Sequence, residues 1–273
     1  MRFSTLMAIC VFCTTSVSAA AETLSFGIVP QQSAQKLAHL WTPITDYLSA
    51  KTGYQIRFTT AKDIPTFERR LHAGLYDIAY MNPYHFTVFN QKPGYRAIAR
   101  QKDKRIKGIV VVRKDSLINS LMDLNGTKMA FPSPAAFAAS VIPQSRLKQD
   151  HIEFSPSYVS SHDSVYLGVA RGFFQAGGGV LRTFNNTTPA IREQLRILWT
   201  SEGYTPHAVA VAPSISTKQQ QRIREALLGM VDDPQGIKLL NSIRFNEFTA
   251  AENADWDDVR SLNITLLDHL LAD

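Results

Sequence analysis

Cysteine is nearly absent from this chain, with two in 273 residues, Cys10 and Cys13. Both lie in the first 21 residues, where Arg2 precedes an apolar run from Leu6 to Val17 and small residues follow at Val17-Ser18-Ala19 and Ala19-Ala20-Ala21. That pattern reads as a signal peptide over residues 1–21, too short to span a bilayer and cleaved on export. Ile9 and Phe12 precede the two cysteines, where a lipoprotein signal would place a small residue. The mature chain is then expected to carry no disulfide, no thiol nucleophile and no thiolate-bound metal. An exported chain without cysteine fits a bacterial periplasm.

Other absences narrow the function. No second apolar run reaches the ~20 residues of a membrane span. There is no G-x-S-x-G, no H-E-x-x-H and no G-x-x-x-x-G-K-[ST], so nucleophile elbow, zinc helix and phosphate loop are all missing. Gly177-Gly178-Gly179 lacks the spacing of a dinucleotide fingerprint. Ser161, His162 and Asp163 are adjacent, which points their side chains apart and argues against a hydrolytic triad. None of the seven histidines forms a pair at helical ligand spacing. The expectation is a protein that is not an enzyme and needs no cofactor or metal. The formal charge of +6 is scattered apart from Lys102, Lys104, Arg105 and Lys107. Without interleaved aromatics that cluster reads as a solvated loop, not a nucleic-acid surface.

What is present is a repeated strand-helix alternation. Apolar strands begin near Leu24, Tyr54 and Tyr76, with helical periodicity between them from Leu37 to Leu48 and from Ile64 to Ala73, a doubly wound and mostly parallel pattern. A second such unit starts at Thr127–Pro143, TKMAFPSPAAFAASVIP. It reads as a buried strand, a turn, and a helix with Ser133 at its N-cap and Pro134 in its first turn. Two apolar runs near 108–113 and 208–212 read as strands crossing between the units, and Thr217–Val231, Pro234–Ile243 and Asp255–Leu271 as helices. Residues 22–113 with 207–273 would form one lobe and 114–206 the other. Loops 30–33, 82–85, 132–137, 160–164 and 200–207 should then meet in the cleft. They bring Gln31, Tyr84, Ser133, Ala135, Ala136, Ser161, His162, Tyr204 and His207 together beside helix starts, which suits a small oxyanion. His162 could equally be only a helix cap, and Tyr84 only a packing residue.

The runs LSFGIVPQQS, RRLHAGLYDIAYMNPYHF, DLNGTKMAFPSP, SSHDSVYLGVARGFF and LRILWTSEGYTPHAVAV occur in an order that resembles the substrate-binding proteins of phosphate, phosphite and phosphonate ABC importers, the PhnD-like family. The resemblance implies an α/β fold of the type II periplasmic binding proteins, two lobes closing on an anion, and no catalysis. It implies a monomer that delivers its ligand to a membrane ABC permease, or alternatively signals to a sensor kinase. It assigns ligand contacts to Tyr84 and His162 and places the family's hydroxyl-rich turn at Ser133, where Ala135, Ala136 and Phe137 follow instead. The segments that hold a ligand ammonium in phosphonate binders supply Arg182 and His207 here. A cation in place of a carboxylate disfavours an aminophosphonate and favours more negative charge.

Overall fold

A computed structural model describes residues 22–272, so the signal-peptide reading lies outside the described residues. In chain order the first half contains β1 (Thr23–Ile28), α1 (Ala34–Thr52), β2 (Gln55–Thr59), α2 (Ile64–His72), β3 (Ile78–Met81), α3 (Pro83–Phe89), β4 (Arg96–Gln101) and β5 (Gly108–Arg113). Then follow β6 (Thr127–Phe131), α4 (Ile142–Gln149), β7 (Phe154–Tyr158), α5 (His162–Ala170), β8 (Ala176–Val180), α6 (Leu181–Asn185), α7 (Pro189–Arg192) and β9 (Leu195–Thr200). The chain ends with β10 (Ala208–Val211), α8 (Thr217–Leu228), α9 (Pro234–Ser242) and β11 (Phe248–Ala250).

Two sheets result, one ordered β11-β4-β10-β3-β1-β2 and the other β7-β6-β8-β5-β9. In the first, β1 lies parallel to β2 and β3, while β10 runs antiparallel to β3 and β4, and β11 to β4. In the second, β6 lies parallel to β7 and β8, and β5 runs antiparallel to β8 and β9. Most strands of each sheet thus share one direction. The interior antiparallel strands, β10 and β5, are the ones that enter a sheet directly after the chain has crossed from the other.

The two apolar runs expected to cross between lobes do not do so. β5 sits between β8 and β9, and β10 between β3 and β4, and Ile109 through Val112 and Ala208 through Val211 are all buried. Continuous apolar runs require cover on both faces, which only a sheet interior provides. The crossings are the polar segments 102–107 and 201–207. They lie side by side, with Ile106 N donating to Tyr204 O (2.8 Å) and Tyr204 N to Ile106 O (3.0 Å).

Helix α1 shows how the local rules are met. Ser33 caps it by accepting from the Lys36 amide, and Gly53 ends it in a left-handed conformation (φ 77°), as N-cap hydroxyls and C-terminal glycines do. Leu37, Trp41, Ile44 and Leu48 fall on its buried stripe, and Trp41 packs against Phe26 and Tyr80. The C-terminal helix expected over Asp255–Leu271 is instead a series of short turns, at Asn253–Trp256, Asp257–Arg260 and Asp268–Leu270. Asn263 at φ 49° interrupts it, since a left-handed residue ends a right-handed helix.

Candidate functional site

The loop after β1 provides the centre. Gln31 is buried, and its side chain is held from both sides. Its Nε2 donates to His207 Nε2 (2.9 Å), and its Oε1 accepts from an Arg182 Nη (2.7 Å). Its backbone carbonyl accepts from the His162 amide (3.1 Å). One residue of the first sheet's half therefore ties the N-terminus of α5, the first turn of α6 and the crossing segment together. The halves also meet where Asn82 Nδ2 donates to Ala135 O (3.3 Å) and Lys36 Nζ to Asn186 O (2.7 Å).

Because an amide NH2 can only donate, the His207 nitrogen facing Gln31 is an acceptor and the ring is neutral. Burial pushes the His207 pKa well below 6.5, aided by the Arg182 charge. The same two causes, burial first, bring His162 down to about 3, with its Nδ1 3.0 Å from Thr183 Oγ1. Unfolding restores both to 6.5, so between pH 6.5 and the depressed values the unfolded chain binds more protons. The stability these groups contribute is complete above pH 6.5 and is lost as pH falls through that window. Urea melts from pH 7 to pH 4 should show a decline approaching ~1.4 kcal/mol per pH unit for each histidine. The His162→Gln variant should show a shallower decline, and an unchanged slope would contradict the assignment.

The Thr127–Pro143 stretch differs from its expected form. β6 ends at Phe131, but no helix starts at Ser133. The Ser133 hydroxyl is buried without a partner, residues 134–136 form a turn, and Phe137–Val141 make one π-helical turn before α4 begins. The reason is the sheet beneath. The carbonyls of Ala138 and Ala139 lie against Gly108 and Gly178, where an added Cβ would stand 2.1 and 2.0 Å from them. Glycines on the sheet let this turn descend onto it, and Phe137 then fills the space edge-on to Tyr204 (5.4 Å).

Of the residues expected at the site, Gln31, Ala136, His162 and His207 line a common void of about 10 Å³. Arg182 and His207 line an adjoining, much larger cavity of about 560 Å³, which shares Ile106, Val180 and His207 with the first. Ala135 contributes its carbonyl to Asn82, Ser133 is buried nearby, and Ser161 caps α5 by accepting from the Ser164 amide (3.1 Å). Tyr204 is occupied by the Ile106 pairing, and its hydroxyl donates to Glu202 (2.7 Å). Tyr84 is not brought in. Its hydroxyl accepts from the Leu267 amide (2.8 Å), and it lines a different cavity with Thr87, Val259 and Asp268. On α3 it faces the C-terminal turns, so the packing alternative applies. Tyr84→Phe should leave anion affinity unchanged in calorimetry and lower stability by roughly 1–3 kcal/mol, the cost of a buried unpaired N–H.

The sequence missed Tyr80, which stacks on His207 at 4.9 Å with 19° between the rings, and the role of the basic run. Lys104, Arg105 and Lys107 line the larger cavity together with Arg182 and Arg244. The run is therefore a cavity wall, not only a solvated loop. Its position there follows from the pairing of Ile106 with Tyr204, which local spacing does not reveal.

The family described as "ABC transporter, phosphonate, periplasmic substrate-binding protein" matches residues 26–256. The chain belongs to this family. Among curated relatives, the phosphate-import protein PhnD of Mycolicibacterium smegmatis is 22% identical over 66% of this chain, and the match spans 63% of that protein's length. The phosphonates-binding periplasmic protein of Escherichia coli is 21% identical over 88% of this chain and 75% of its own. Among solved structures, PhnD1 of Prochlorococcus marinus in complex with methylphosphonate superposes with a TM-score of 0.82, covering 89% of this chain and 98% of its own at 19% identity. The family's two-lobed α/β fold, that of type II periplasmic binding proteins, is thus the fold of this chain, as its sequence implied.

Proposed function

We propose that the protein is a periplasmic solute-binding component of an ABC importer, capturing a small anion where its two halves meet and presenting it to a membrane permease. The observation that carries this reading is Arg182. It reaches across from α6 to Gln31 on the opposite half while lining the cationic cavity, so anion capture and closure involve one side chain. Movement about the paired crossings 102–107 and 201–207 would open the site. The relatives' names favour import over signalling to a sensor kinase. Binding without turnover suits the arrangement, because Ser161 is engaged as a helix cap and His162 with Thr183, leaving no serine-histidine pair among these residues. We read the protein as exported, free of a lipid anchor and monomeric.

The ligand class follows from charge. Among the described residues Asp103 is the one carboxylate lining either cavity, against several cations, so a ligand ammonium has poor company. Calorimetry against phosphate, phosphite, methylphosphonate, 2-aminoethylphosphonate and small carboxylates should show binding of an anion without a positive group. The aminophosphonate should bind at least about tenfold more weakly than methylphosphonate, ~1.4 kcal/mol. Preference for the aminophosphonate would overturn the charge argument.

A further inference from the structure

We propose that the larger cavity is the recognition site for an extended organic anion carrying at least two acidic groups, and that the family's oxyanion position is not where selectivity resides in this chain. The inference deepens the binding-protein reading and rests on it. Volume is the first argument. The void around Gln31, Ala136, His162 and His207 measures about 10 Å³, at the threshold of roughly 10–15 Å³ for one water. Ala136 and Phe137 line it and offer no hydroxyl. The larger cavity, about 560 Å³, lies within the ~300–1,000 Å³ typical of organic-ligand pockets.

Charge is the second. Lys104, Arg105, Lys107, Arg182 and Arg244 line this cavity against Asp103 alone. Arg105 is neutralised by Asp258 at 2.6 Å, but among the described residues Lys104, Lys107, Arg182 and Arg244 form no ion pair. An unneutralised cluster of one sign raises the potential in a concave wall and is relieved by a multiply charged partner. The four cations come from three separate segments: the first crossing, the start of α6 and the turn after α9. Separated acidic groups on one molecule can engage cations from more than one of these segments.

The third argument is the apolar part of the lining. Tyr80 stacked on His207, with Ile106, Leu181 and Pro206, gives a surface of low polarity for the body of the ligand. The cavity therefore combines cationic subsites with an apolar face.

The test is calorimetry on the full chain, comparing methylphosphonate and acetate with citrate and 3-phosphoglycerate. We expect at least one of the two extended anions to bind at least about tenfold more tightly than either single-headed one. A Lys104→Gln/Arg244→Asn variant should lose that advantage, its affinity for the extended anion falling at least about fivefold further than its affinity for methylphosphonate. Asn is chosen because Arg244 sits at φ 58°, which Asn adopts more readily than most residues. Methylphosphonate binding as tightly as both extended anions would overturn the inference and leave the anion-binding function standing, as would an advantage that survives the double substitution. Binding of no probe at millimolar concentration would overturn both.

Discussion

Arg182→Ala should reduce anion affinity about 100-fold, the largest effect of any single polar substitution in the protein. Hydrogen bonds to charged groups contribute roughly 1.5–3 kcal/mol each, and this guanidinium serves two purposes. It donates to Gln31 Oε1 across the junction of the halves and presents its charge to the larger cavity. The alanine variant loses an attraction to ligand and a contact between the halves together. Gln31 keeps its His207 bond and the His162 amide contact, so the fold should persist. Arg182→Lys should recover only part of the affinity, because an ammonium lacks the planar fork that holds one partner while offering N–H groups to another. A second readout follows from the histidines. Arg182 adds to the burial that depresses both His162 and His207, so its removal should raise both pKa values and narrow the pH window over which acid destabilises the protein. Calorimetry for affinity and urea melts across pH 4–7 check the two parts. Affinity within threefold of the parent would remove Arg182 from the site and with it the observation on which the function rests.

The sequence made the architecture legible because periodicity reports burial directly. LSFGIV, the Leu37–Leu48 stripe and the helix that begins at Pro234 are where expected, since each local signal agrees with the packing around it. The crossings differ from expectation for a related reason. GIVVVR and AVAV are apolar, and apolarity shows that a strand is buried without showing which sheet buries it, whereas the true crossings look like ordinary polar loops. Ser133 failed as a cap because the turn after β6 is shaped by two glycines far from it in sequence, Gly108 and Gly178, a constraint that local spacing cannot reveal. The same limit explains the tyrosines. Tyr80 and Tyr84 are one helical turn apart in number, but β3 ends between them, and only the pairing of β3 with β10 decides that Tyr80 meets His207. Charge clustering was visible at 102–107, yet its meaning depended on Arg182 and Arg244 arriving from distant segments. Cleft residues from separate chain segments are the part of a site that composition cannot assemble.

Gly178→Ala should lower stability by about 3 kcal/mol, at the upper end of ordinary overpacking, which for a chain of this size corresponds to a fall in Tm of roughly 6–12 °C. A Cβ at this position would lie 2.0 Å from Ala139 O and 2.7 Å from Phe131 Cδ1. The first obstacle is backbone, which cannot rotate aside as a flexible side chain would. Relief requires lifting the Phe137–Val141 turn from β8 or moving β8 from β5, where Gly178 pairs with Val110. Lifting the turn also disturbs the Ala135 carbonyl that receives Asn82, a contact between the halves, so ligand affinity should fall along with stability. Gly229→Ala is the control. It has right-handed dihedrals at the end of α8 and nothing within 4 Å of an added Cβ, and it should be neutral or stabilising by up to ~1 kcal/mol. Thermal melts with and without ligand separate the two effects. If Gly178→Ala melts like the control, the turn yields at little cost and the sheet glycines do not set its position. If stability falls and affinity does not, the turn is a packing element that the binding site does not depend on.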